Sequence, residues 1–125
     1  MNRGHDRKPT VDIGGWILRI GVAVFFLMAG VDKFSADARN QWIAIFARIG
    51  VGQWFRYATG IVEIVGGVLY AFPATCKSGA VLLVSAMFGA IVAHVTVLGD
   101  PGASAIPAAL IVATILIALR NPDPN

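Results

Sequence analysis

Residues 52–73 open with Gly52 and Gln53, carry Trp54, Phe55, Arg56 and Tyr57 next, continue through apolar and small side chains, and stop at Pro73. A single carboxylate, Glu63, stands midway along that run. Three further apolar runs lie near 15–34, 78–98 and 105–119. Each of the four approaches the ~20 residues that an α-helix needs to cross a bilayer. The chain has 125 residues, 57% of them hydrophobic and 14% charged. A water-facing domain carries about 25% charged residues, so lipid is the expected solvent. A carboxylate in the middle of a membrane helix is costly and turns toward protein or a cavity.

The expected fold class is all-α: a four-helix transmembrane bundle with spans at 15–34, 54–72, 78–98 and 105–119. It forms one domain, 13–120, between a polar basic tail, 1–12, and a short tail, 121–125. Between the first two spans, Trp42, Ile45, Phe46 and Ile49 recur at helical spacing, with Arg39 and Arg48 off that face. This predicts a short amphipathic helix lying in the membrane plane, ended by Gly50 and Gly52. On the first span, Arg19, Ala23, Phe26, Gly30 and Lys33 share one stripe at about 100° per residue. On the second, Gly60, Glu63, Gly67 and Tyr70 share a face whose small residues let a neighbour approach. On the third, Ser85, Gly89, Ala93 and Thr96 form a weakly polar face, and His94 projects on the other side. Ser104 is placed to cap the last span, with Pro107 in its first turn and Thr114 as its sole polar side chain.

The net charge of +3 sits at the ends and loops. In a membrane protein such charge reports orientation and headgroup contact, not nucleic-acid binding. Four spans put both termini on one side, with Arg3, Arg7, Lys8, Lys77 and Arg120, against Lys33, Arg39, Arg48 and Arg56. That bias predicts cytoplasmic termini. A basic tail before an apolar run also resembles a secretory leader, with Ala36-Asp37-Ala38 as its cleavage site. The internal Arg19, Asp32 and Lys33 argue against it. The lone Cys76 makes neither an intrachain disulfide nor a CxxC pair. His5 and His94, one in the tail and one in a span, do not make a metal site.

The order Leu18-Arg19-Ile20-Gly21, then Phe26-Leu27-Met28-Ala29-Gly30-Val31-Asp32-Lys33-Phe34, resembles the DoxX family. So do Trp54-Phe55-Arg56-Tyr57 with Thr59, Gly60, Glu63, Gly66 and Gly67, a following proline, and Met87, Gly89, Ala90 and His94. The resemblance covers about 15–119. It implies a small, mostly bacterial, four-helix integral membrane protein of the plasma membrane. It also implies a link to quinol oxidase or thiosulfate:quinone oxidoreductase subunits, or to oxidative-stress partners. Arg19, Lys33, Glu63 and His94 match the family's polar pattern.

Glu63 is the leading candidate, either as a proton-binding carboxylate or as the packing partner of a cation, for which Arg19 is in reach. His94 offers a hydrogen bond to a quinone carbonyl or a proton relay, against a plain structural bond. Arg56 and Tyr57, beside Trp54, suit an anionic or carbonyl-bearing headgroup, or simple interfacial anchoring. Lys33, next to Asp32, is expected to snorkel to the surface. Cys76, beside Lys77 at a helix start, is read as incidental. The leading functional expectation is an accessory, quinone-linked component of a membrane redox system. It has no redox centre of its own, quinone as its one candidate cofactor, and lipid, an oxidoreductase and further copies of itself as candidate partners. A small proton-coupled transporter using Glu63 and a structural or assembly protein are the alternatives.

Overall fold

The computed structural model describes residues 13–35, 37 and 41–120. The tails at 1–12 and 121–125, and Ala36 and Ala38 of the leader-like motif, lie outside them. Among the described residues every regular element is helical. Five α-helices follow in order: α1 (Ile13–Asp32), α2 (Gln41–Ile49), α3 (Gln53–Ala71), α4 (Cys76–Thr96) and α5 (Ala105–Arg120). Short 3-10 turns, Pro73–Thr75 and Pro101–Ser104, lead into α4 and α5. In lipid a helix is the element that satisfies its own backbone.

The boundaries have local causes. After α1 the chain tightens into i→i−3 bonds, Lys33 N–H to Gly30 O at 3.2 Å and Phe34 N–H to Val31 O at 3.0 Å. Gly50 (φ 83°) and Gly52 (φ 117°) separate α2 from α3 in backbone conformations that suit glycine alone. Pro73 stops α3, and Phe72 before it is extended. Ser104 does not cap α5 through its side chain: the 3-10 turn takes over that junction, and Ser104 Oγ is buried with no hydrogen-bond partner among the described residues.

The long helices pack in chain order, α1 on α3, α3 on α4 and α4 on α5, and α1 meets α5 on the remaining side. α2 rests on α3. Ala23, Phe26, Tyr70, Cys76, Ala80, Leu83 and Ala118 form the core. Tyr70 is fully buried and donates its hydroxyl to Thr114 O at 2.8 Å. The outside is apolar, with Met28, Ile106, Leu116 and Leu119 all exposed. That is the reverse of a water-soluble domain, whose helices keep a polar outer face.

Among the described residues, Ile13–Asp32, Pro73–Thr96 and Pro101–Arg120 are long and apolar enough to cross a membrane. The expected second span, 54–72, is helical as α3 but is not among the three. Gln53, Arg56, Thr59 and Glu63 lower its hydropathy; Arg56 and Glu63 are buried inside the protein.

Glycines set how closely α3 is held. A Cβ on Gly79 of α4 would stand 2.5 Å from Tyr70 N and 2.6 Å from Gly66 O, so α4 and α3 touch backbone to backbone. A Cβ on Gly30 of α1 would stand 2.8 Å from Gly60 O, and one on Gly67 would stand 3.1 Å from Ala23 O. These contacts fix the antiparallel register of α1 against α3, and Leu27 falls near the level of Glu63.

Candidate functional site

The register decides which cation meets Glu63. Leu27 is six residues from Lys33 and eight from Arg19, about 9 Å and about 12 Å along the helix axis. Side chains also lean toward a helix's N-terminus. Lys33, still following the helical turn, therefore leans back toward Glu63, whereas Arg19 leans away. Lys33 Nζ donates to both Glu63 oxygens at 2.8 Å. The two side chains are 5% and 4% exposed. The expectation that Arg19 is the partner of Glu63 is corrected, and so is the expectation that Lys33 snorkels to the surface.

Arg19 instead sits at the other end of the α1–α3 pair, where its Nε donates to Ala71 O, the last carbonyl of α3, at 3.2 Å. Arg56 answers it from α3. Its Nη1 donates to Lys33 O, just past the end of α1, and to Ser35 O at 3.5 Å. Its Nε donates to Gln53 Oε1 at 2.8 Å, and its Nη2 to Tyr57 Oη at 3.0 Å. Arg56 is buried, so its expected role as a headgroup anchor is corrected. Helix C-termini leave carbonyls unpaired, and arginine is well made to take them. Arg48 of α2 does the same for α4, donating from Nη2 to Leu98 O at 2.7 Å.

One more side chain completes the site. Trp42, the second residue of α2, lays its ring over Lys33 with Nζ 3.9 Å from the centroid. Its Nε1–H donates to Asp32 Oδ2 at 2.8 Å. The adjacent acid and base, Asp32 and Lys33, thus hold the same indole, one by its edge and one by its face. A shallow apolar groove lined by Leu27, Met28, Val31 and Asp32 runs along α1 to that carboxylate.

The pattern of residues 17–118 matches the profile of the DoxX-like family. The chain belongs to the DoxX-like family. A curated relative of this DoxX-like chain is the Bacillus subtilis (strain 168) protein named "Putative oxidoreductase CatD", 28% identical over 85 residues. The match covers 68% of this chain and 62% of that protein, so the DoxX-like chain spans less than two thirds of its relative's length. No solved structure matches.

The remaining candidates of the DoxX-like chain scatter. Trp54 and Tyr57 are exposed, and Trp54 Nε1–H returns to Val51 O at 3.1 Å. Tyr57 stacks with Phe34, centroids 5.3 Å apart, and lies under the Arg56 guanidinium at 4.4 Å. His94, near the end of α4, is half-buried, and its Nδ1 is buried with no hydrogen-bond partner among the described residues. Cys76 is a fully buried free thiol in the core. The sequence reading passed over Trp42 as a site residue. Its signal was the Asp32-Lys33 pair at the end of α1, whose opposite charges needed partners within the fold.

Proposed function

We propose that this DoxX-like protein is a quinone-linked, multi-pass component of a membrane redox or oxidative-stress system, working with an oxidoreductase that supplies the electrons. The observation that carries this reading is the buried Lys33–Glu63 pair, next in the chain to Asp32, which lines an apolar groove on α1. In this reading α1, α3, α4 and α5 cross the bacterial plasma membrane and α2 lies at its surface. α3 can span despite its lower hydropathy because Arg56 and Glu63 are satisfied by neighbouring helices.

Both termini face the cytoplasm. The guanidiniums of Arg19, Arg48 and Arg56 are committed to carbonyl groups. The sequence places Arg3, Arg7, Lys8, Lys77 and Arg120 at the end of the termini, against Lys33, Arg39, Arg48 and Arg56 at the other. That is the positive-inside bias on which this orientation rests.

The residues present suit a quinone. Lys33 has three N–H groups, and two of them are spent on Glu63. Its remaining contact among the described residues is the face of the Trp42 ring, a weaker partner than a ring carbonyl. Glu63 holds the Lys33 side chain in place. Leu27, Met28 and Val31 offer an apolar lane for a tail. A bound quinone would supply two-electron chemistry to the partner; this chain's part is to bind and orient the ring. The name of the Bacillus relative, an oxidoreductase, points the same way.

The test is purification in mild detergent, solvent extraction and mass spectrometry, on the native protein and on Glu63→Gln, with helicity checked by circular dichroism. Quinone in the native protein and its loss from the helical variant is the expected result. Phospholipid alone in both would overturn the reading and favour a packing role for the pair.

A further inference from the structure

We infer that Trp42 holds the place of the ligand: its indole fills the slot on Lys33 and Asp32 that a quinone or quinol ring takes, and the ligand enters by displacing it. This rests on the quinone reading above and assigns the slot, its polar partners and its route of entry.

The first argument is what Lys33 lacks. Two of its N–H groups meet carboxylate oxygens, and among the described residues its remaining interaction is with the face of the Trp42 ring. A charge-assisted bond to an oxygen is stronger than a contact with a π face, so a carbonyl is the better occupant of that direction. The second is what Asp32 accepts. Its Oδ2 takes the indole N–H, so the slot already accommodates a flat ring with a donor at one edge. A quinol hydroxyl is such a donor, and a quinone carbonyl is an acceptor for Lys33.

The third argument is that the ring is open to solvent on one side. The Trp42 bond to Asp32 is exposed to solvent, and the residue is only half-buried. The anchors of α2 lie elsewhere: Phe46 is buried with its ring 5.8 Å from Phe55, Gln53 Nε2 donates to Ile43 O at 3.0 Å, and Arg48 reaches Leu98 O. α2 therefore has anchors besides the indole that keep it docked when a ligand takes the indole's place. The fourth is direction. The groove beside Leu27, Met28 and Val31 ends at Asp32, so an apolar tail lying in it delivers its ring to the edge of the indole.

The experiment uses the full chain in mild detergent. A water-soluble acetylating reagent is applied briefly, and the rate at Lys33 is read by mass spectrometry. Trp42→Ala is expected to raise that rate about tenfold, the size expected for removing one desolvated cation–π contact. Trp42→Phe, which restores a ring, should stay near the native rate and controls for folding. A decyl-tailed benzoquinone should then protect Lys33 in Trp42→Ala. In a Trp16→Phe/Trp54→Phe background, the same compound should shift Trp42 emission to the red, and Lys33→Met should abolish the shift. Equal acetylation of Lys33 in Trp42→Ala and native protein overturns the inference. So does a bound quinone, seen by extraction, that leaves Trp42 emission unchanged; in that case the functional reading survives without it. Failure of the quinone to bind any form overturns both.

Discussion

The Lys33–Glu63 pair allows a prediction with a worked magnitude. Its oxygens stand 2.8 Å from the nitrogen, which at an effective dielectric constant of about 20 corresponds to an attraction of about 6 kcal/mol. Removing each ion from water costs several kcal/mol, so the pair adds little net stability. The single variants are another matter, because each strands one charge in the protein. Lys33→Met and Glu63→Leu should each lower stability by about 3–5 kcal/mol. The double variant leaves no buried charge and should return to within about 1 kcal/mol of the native protein, or exceed it. Equilibrium unfolding in mixed micelles of mild and denaturing detergent, followed by circular dichroism, measures all four proteins. Two single variants within about 0.5 kcal/mol of native would show that the pair is solvated, and a double variant as unstable as the summed singles would show that the charges act independently. Either result refutes the reasoning.

Gly79→Ala should prevent stable assembly or cost several kcal/mol, because its Cβ would stand 2.5 Å from backbone; Gly89→Ala, with nothing within 4 Å, should be neutral or stabilise by up to about 1 kcal/mol through helix propensity. Thermal melts of the two variants in one detergent make the comparison. Tyr70→Phe removes the bond to Thr114 O and should cost about 1 kcal/mol by the same melts. Arg56→Leu strips a cap from the end of α1 and should cost more than Tyr70→Phe, with faster amide exchange at Phe34 and Ser35 as its local signature.

The all-helical character and the apolar runs were legible because lipid leaves the backbone few alternatives. Gly60 and Gly67 were recognisable as an approach face, and Glu63 as an oddity, from helical spacing alone. The partner of Glu63 was not legible, because Arg19 and Lys33 lie on one stripe and spacing says nothing of how far α1 slides along α3. That offset is set by backbone contacts at Gly30, Gly60 and Gly67. Arg56 was misjudged for a related reason. An arginine beside Trp54 and Tyr57 has the composition of an interfacial belt, and the carbonyls it takes lie just past the end of α1, more than twenty residues earlier. Trp42 was placed on the apolar face of α2, which fits its neighbour Phe46, but its role over Lys33 depends on where α2 docks.

The arginine contacts at the two ends of the α1–α3 pair have a mechanical consequence. Arg19 ties α1 to the end of α3, Arg56 ties α3 to the end of α1, and Lys33 is pinned to Glu63 between them. Sliding one helix past the other by a single turn, about 5.4 Å, would break all three at once. The two helices therefore form a strut that can tilt or turn as a body but cannot telescope. A force applied at one end of the pair would reach the other end as movement of the whole strut, not as sliding of one helix along the other.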